Sequence, residues 1–344
     1  MKKNYWVMML CLLAGSFIGC SDDDDSYDWF RAHEEEKEKL AEYVKDKEPK
    51  QSFEYRGSVL GKEFVATAYV FNYEEEGTKA ENKDFVLYNF VRKTLEGKIL
   101  DASYPSVAVG NGVTPSIAQG GPVYMFMKTD EDEINPIADV FAYIPEGTEA
   151  EALFSSMTPG FLGGSTYFYY EYTVEKVIKD MTLLEYENEL IKIFLESVEG
   201  EIEEDVIELP LNEGSGKDTI TQVAKIKIPV EVETSGEPVE LTDSVTVHYN
   251  AYILDEVNDK YRVITEMKED EEVTLYLSEM IDGFKQGVAS LKVGEEAYIL
   301  IPSGMGYGYN GLKSYEGQYL IPPYATLLYE VKVISTKKNP KDIK

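Results

Sequence analysis

Thiols, imidazoles and positive charge are what this sequence has least of. Its 344 residues hold two cysteines and two histidines. Cys11 and Cys20 both fall within the first twenty positions. The body of the chain therefore has no side chain for a disulfide framework, a cysteine nucleophile or a thiolate metal site. His33 and His248 are the only imidazoles, too few for chemistry built on clustered histidines. The 33 basic residues stand against 64 acidic ones, a formal charge of −31. That balance works against attraction to nucleic acid or to an anionic bilayer surface. The apolar run Tyr5 to Ile18 falls short of the ~20 residues a membrane-spanning helix needs.

What is present starts at that run. Lys2 and Lys3 precede it and Phe17-Ile18-Gly19-Cys20 ends it, the layout of an export leader. The ending resembles a bacterial lipobox, with Phe17 where Leu is usual. The resemblance implies lipidation of Cys20 and removal of residues 1–19, and both cysteines are then spent. Ser21-Asp22-Asp23-Asp24-Asp25 reads as a solvated tether over 20–26, since adjacent like charges repel. It also resembles the acidic export signal of Bacteroidetes lipoproteins, which implies outer-membrane anchoring with surface exposure; a periplasm-facing position is the alternative.

Further along, two halves follow the same order. Tyr27 to Lys47 has sparse helical spacing and is closed by Pro49. Phe64 to Tyr73, Asn82 to Arg92, Lys98 to Asp101, Val123 to Met127, Asp139 to Ile144 and Ser165 to Val177 read as strands, with a long Gly- and Pro-rich connection from Pro105 to Pro122. Met181 to Val198 returns to helical spacing along Met181, Leu184, Ile191, Leu195 and Val198. After acidic Glu199 to Asp205, Val206 to Pro210 parallels Phe53 to Leu60, Gln222 to Glu233 parallels Phe64 to Tyr73, and Asp243 to Asn250 parallels Asp84 to Phe90. The expected division is a domain over 27–180 with a leading helix, a helix and linker over 181–205, and a second domain over 206–337.

Chemistry-bearing residues concentrate in the second half. Ser244 to Tyr249 alternates as a half-buried strand, Glu272 to Leu277 follows, and a helix beginning near Met280 places Met280, Phe284, Val288 and Leu291 on one face. Val245-Thr246-Val247-His248-Tyr249, Met280 to Val288, Leu291 to Glu295, Ile301-Pro302, Gly306-Tyr307-Gly308 and Ile321-Pro322-Pro323-Tyr324-Ala325-Thr326-Leu327 resemble successive motifs of FKBP-type peptidyl-prolyl isomerases. The resemblance implies an α+β fold: a curved antiparallel sheet half-wrapped around a short helix, with a pocket between. It further implies tandem FKBP-like domains, the helix reduced in the first.

Carried onto these positions, the resemblance makes Phe284 the pocket floor, where the human members commonly have Trp. Tyr249, Tyr307, Ile321 and Tyr329 become wall residues, and the Ile281 N–H becomes the donor to a substrate carbonyl. Met280, Leu320, Tyr261 and Arg262 become substrate-binding positions. It implies proline-containing or unfolded polypeptide as partner, no cofactor and no metal. Such chemistry needs neither acid nor base, because a dry pocket favours the twisted amide over the planar one.

Three departures temper the expectation. The family commonly has Phe-Asp where Tyr261-Arg262 stands; an Arg stem can fold outward with its head in water. The Tyr307 to Leu320 loop is longer than the family's and carries Tyr309, Leu312, Tyr315 and Tyr319. In the first half, Glu96 to Ser103 resembles the turn leading into Phe-Asp, with Asp101 in the acidic place, but no Tyr-Gly or Ile-Pro-Pro counterpart follows. A weak isomerase or a pure binding module or chaperone is the alternative to an enzyme.

Overall fold

The computed structural model describes residues 4–7, 29–59, 62–127, 134–159, 167–198, 204–210, 220–228, 236–254 and 262–338. Cys20, the acidic run after it and Tyr261 lie outside the described residues. The fold is α+β, with antiparallel sheets and interspersed short helices. The chain groups into two compact units: Met1–Pro115 with Tyr124–Lys179, and Ser116–Val123 with Asp180–Lys344.

In the first unit the elements run β1 (Asn4–Val7), α1 (Trp29–Lys47), β2 (Gln51–Val59), β3 (Lys62–Phe71), β4 (Phe85–Lys93), β5 (Ile99–Ala102), α2 (Pro105–Gly110), β6 (Val123–Phe126), α3 (Pro136–Phe141), β7 (Thr148–Phe154) and β8 (Phe168–Ile178). Their sheet has the order β1-β2-β3-β7-β8-β4-β5, with β6 on β4. Within the expected leader, β1 runs parallel to Glu54–Gly57 of β2. One face of the sheet buries Tyr55, Phe141, Phe154 and Tyr172. On the other, Leu40 of α1 joins Phe71, Leu153 and Tyr169.

Two readings of this half need correction. Asp139–Ile144 is not a strand: Asn135 accepts the Ala138 N–H at 3.2 Å and Pro136 follows it, so a capped helix forms there instead. The long connection after Pro105 contains α2, opened by that same proline.

The second unit comprises α4 (Leu183–Ser197), β9 (Glu204–Pro210), β10 (Ile220–Ile228), β11 (Ser244–Ile253), β12 (Arg262–Thr265), β13 (Val273–Tyr276), α5 (Asp282–Ala289), β14 (Glu296–Ile301), β15 (Leu312–Lys313), β16 (Tyr319–Ile321) and β17 (Leu327–Lys337). Its main sheet has the order β12-β11-β17-β14-β10-β9, with β13 on β11, and β15-β16 is a separate hairpin. Thr182 caps α4 reciprocally with Glu185. The helix lays Ile191 and Phe194 on Leu254, Leu300 and Leu328, while α5 lays Phe284 and Val288 on Val247, Ile299 and Val331 across the opposite face. Strand alternation makes this two-faced burial possible: Ile299 and Ile301 turn to α5 and Leu300 to α4.

The two sheets share one strand order. Apart from β1, which has no counterpart, matching β2 to β9, β3 to β10, β7 to β14, β8 to β17, β4 to β11 and β5 to β12 makes the neighbours correspond, with β6 and β13 in the same off-path place. Leu153 pairs with Tyr169 as Leu300 pairs with Leu328. The register slip between Leu87 and Tyr88 answers one between Thr246 and Val247.

Candidate functional site

Three rings meet on the α5-facing side of the second unit's sheet. Val245, Val247 and Tyr249 share one face of β11 by strand alternation, and Tyr329, Val331 and Val333 share that face of β17. Phe284 arrives from α5, which lies unusually close to β14. A Cβ on Gly283 would stand 2.3 Å from Ile301 Cγ2, and one on Gly287 2.5 Å from Ile299 Cγ2. Only glycine at those two positions, four apart on one helix face, permits that approach.

Phe284 and Tyr329 then lie 5.0 Å apart, Tyr249 and Tyr329 5.9 Å, and Tyr249 and Phe284 6.1 Å between centroids. These are edge and tilted contacts, the arrangement that aromatic quadrupoles favour. Phe284 is 3% exposed and Tyr329 8%, while Tyr249 stays half-buried.

Around this floor stand the remaining expected positions. Ile321 is buried; Met280, Ile281, Tyr307 and Leu320 are half-buried, and all but Leu320 pack on the same core. Burial raises the Tyr307 hydroxyl above its usual range, and the Tyr249 hydroxyl adds to it. Burial does the same to Tyr329, followed by Tyr307 and Tyr249. The Tyr307 and Tyr329 phenols thus hold their protons and can donate a hydrogen bond. Ile281 is the N-cap residue of α5, with extended backbone. Among the described residues its N–H has no acceptor, as expected at a helix start with no capping side chain. His248 turns away, its Nδ1 3.0 Å from the Glu271 carbonyl.

Arg262 differs from the outward-folding expectation. It is 8% exposed, and its guanidinium donates to the Gly120 carbonyl. No sequence pattern could have paired residues so distant along the chain. In the long loop, Tyr309 and Tyr315 are exposed, at 70% and 107%. Tyr319 is instead half-buried under Lys313, whose Nζ is 4.4 Å from the ring centroid. Asp101 is half-buried opposite Arg92 and accepts the Ala102 N–H at 2.8 Å.

A residue that the reading passed over is Glu187. It is 2% exposed on α4 and accepts the Ser303 N–H at 2.7 Å and the Thr326 hydroxyl at 3.2 Å. Burial pushes its carboxyl up to about 7, against the downward pull of those hydrogen bonds. Its place between Leu184 and Ile191 on the apolar stripe was the available sign. The first unit has a counterpart: Glu36 on α1 accepts the Ser156 N–H at 2.8 Å and its hydroxyl. Ser156 follows the end of β7 by two residues, as Ser303 follows β14.

A family model described as FKBP-type peptidyl-prolyl cis-trans isomerase matches residues 235–334. An FK506-binding protein of Neisseria meningitidis serogroup C is 30% identical over 102 residues, which cover 30% of this chain and 87% of that protein. FK506-binding protein 5 of Rhizopus delemar is 34% identical over 106 residues, 31% of this chain and 26% of its own length. The chain thus spans most of one relative and about a quarter of the other. A crystal structure of a peptidyl-prolyl cis-trans isomerase from Pseudomonas syringae overlaps 45% of this chain and 93% of that one at 17% identity, with a TM-score of 0.31, too low to argue from.

Proposed function

The chain belongs, through its second unit, to the FKBP-type peptidyl-prolyl cis-trans isomerase family, and on that premise we propose that it turns over X-Pro bonds of exported polypeptides in the Tyr249, Phe284 and Tyr329 pocket. The observation that carries the proposal is the aromatic floor with the unengaged Ile281 N–H at its mouth. An X-Pro amide is slow to rotate because resonance holds it planar. Moved into a dry aromatic pocket, the planar and more polar form loses more hydration than the twisted one. The Ile281 N–H would hold a neighbouring carbonyl and the Tyr307 hydroxyl a second one, fixing the turn in which rotation occurs. Met280, Leu320 and Ile321 would line the mouth, with Tyr261 and Arg262 beside it. The test is cis-to-trans conversion of a short X-Pro peptide by the full chain; a rate equal to the uncatalysed one would sink the catalytic reading.

A binding-module reading has its own support in exposed Tyr309 and Tyr315 on the long loop, which suit an unfolded or extended polypeptide. Peptide binding with no acceleration of isomerisation would favour it.

We further infer that the two units are tandem copies of one FKBP-like domain, the first no longer catalytic. The shared strand order, the answering register slips and the repeated glutamate-to-serine latch support this. Cys20 would carry the lipid that holds the protein at the bacterial outer membrane, surface-exposed or facing the periplasm. Radiolabelled palmitate incorporation in the producing bacterium tests it: label retained in Cys20→Ala would contradict the anchor.

A further inference from the structure

The hairpin β15-β16 leaves one edge of β16 for another strand. Lys313 pairs with Tyr319 on one side, and the Tyr319 backbone turns its own hydrogen-bonding groups to the other. There they meet Ser116–Val123, which belongs to this same compact unit. The Tyr319 N–H donates to the Ser116 carbonyl at 2.8 Å, and the Ala118 N–H donates to the Tyr319 carbonyl at 2.8 Å. Ile117 and Tyr319 thereby form a single parallel bridge. Two residues beyond Ala118, the Arg262 guanidinium on β12 takes the Gly120 carbonyl. The segment is thus pinned at β16 and again at β12, the two elements that carry the mouth positions Leu320, Ile321 and Arg262.

We propose that the Tyr319 edge and Arg262 form a subsite for extended polypeptide main chain, and that Ser116–Pro122 is its tethered occupant, displaced when an external polypeptide binds. The proposal rests on the isomerase reading only for the nature of the incoming chain. Both bonds at Tyr319 and the acceptor at Arg262 are main-chain groups, so any extended polypeptide can make them, as strands added to an open sheet edge do. The Gly120 acceptor at Arg262 is a neutral main-chain carbonyl, which any polypeptide supplies. Gly120 and Gly121 add no side chains to the hold. Ile117, 4% exposed, and buried Pro122 seat the strap.

The experiment measures binding of a fluorescein-labelled peptide with the sequence of residues 116–123 to the full chain, by anisotropy, with Cys11 and Cys20 replaced by serine. Ala118→Pro removes one donor from the strap and frees the edge, so it should bind the peptide about fivefold to tenfold tighter than its parent. Ile117→Cys with Tyr319→Cys joins the bridge partners; oxidised, it should not bind, and reduction should restore binding. Equal affinity in oxidised and reduced forms, an Ala118→Pro variant that binds no tighter, or no binding by any form would overturn the proposal. Isomerase rates on the same proteins separate the two readings. Catalysis without strap-dependent peptide binding keeps the isomerase and removes the subsite; strap-dependent binding without catalysis does the reverse.

Discussion

The two units share a strand order and differ in what packs on one face of the sheet. Register places Tyr170 where the second unit has Tyr329, Phe90 where it has Tyr249, and Tyr88 and Tyr172 where it has Val247 and Val331. Two tyrosines in place of two valines bring extra rings into the same sheet. In the first unit Tyr88 and Phe141 lie 4.7 Å apart, Phe141 and Tyr172 4.9 Å, and Tyr170 stacks on Tyr172 at 5.2 Å. Phe141 is fully buried and Tyr172 2% exposed. The second unit sets valines behind its rings, and Tyr249, Tyr307 and Met280 remain half-exposed. The small residues beneath the aromatics leave the rings of the second unit less tightly filled in than those of the first.

Removing one ring from each unit breaks the comparison most sharply. Phe141→Ala should destabilise the chain by about 3–5 kcal/mol in denaturant unfolding, as truncation of a sealed core ring does, with X-Pro turnover unchanged under native conditions. Phe284→Ala should lower turnover more than tenfold, and Phe284→Trp should retain it. If Phe141→Ala also abolished turnover, the division of labour between units would be wrong.

The latches sharpen it next. Glu187 has its pKa raised from an ordinary 4.5 to about 7, so between those pH values the folded state binds more protons than the unfolded one. Its contribution to stability is fully present below about 4.5 and is lost as pH rises through about 7. The span is worth up to about 3 kcal/mol. Relative to the wild type, Glu187→Gln should therefore gain stability between pH 5 and pH 8, seen in the shift of urea midpoints. An unchanged difference at the two pH values would show that the carboxyl is not protonated when folded.

A smaller effect is expected at the helix seat. Gly287→Ala places a methyl against Ile299 and should cost about 1–3 kcal/mol as overpacking, with a modest loss of turnover as α5 lifts Phe284. Smallest is Tyr307→Phe, which removes one hydroxyl from the wall. It should reduce turnover by up to about tenfold, the worth of one hydrogen bond, and leave thermal stability within a degree or two.

How much of this could be read from the chain follows from the range of each interaction. The α5 face, the alternation through Tyr249 and the order of motifs to Leu327 are local patterns, and Tyr249, Met280, Phe284, Tyr307, Ile321 and Tyr329 fall in one apolar cluster. The first unit was less legible. Asn135-Pro136 starts a helix in a stretch whose apolar residues read equally well as a strand. The sequence left the direction of Arg262 open because its partner, the Gly120 carbonyl, lies on a segment 142 residues earlier in the chain. Glu187 and Glu36 are hard to place for the same reason: the stripe position of Glu187 points to burial, but the donors that satisfy it, Ser303 and Thr326, like Ser156 for Glu36, lie far along the chain. Main-chain partners leave no trace in sequence, and both bonds between the strap and Tyr319 are of that kind.

The most direct test is the rate of cis-to-trans conversion of an X-Pro peptide by the full chain, compared across wild type, Phe284→Ala and Phe141→Ala. Acceleration above the uncatalysed rate, lost in Phe284→Ala and kept in Phe141→Ala, is the predicted result. A wild-type rate equal to background, or one that survives Phe284→Ala, would contradict the placement of an isomerase site in the second unit.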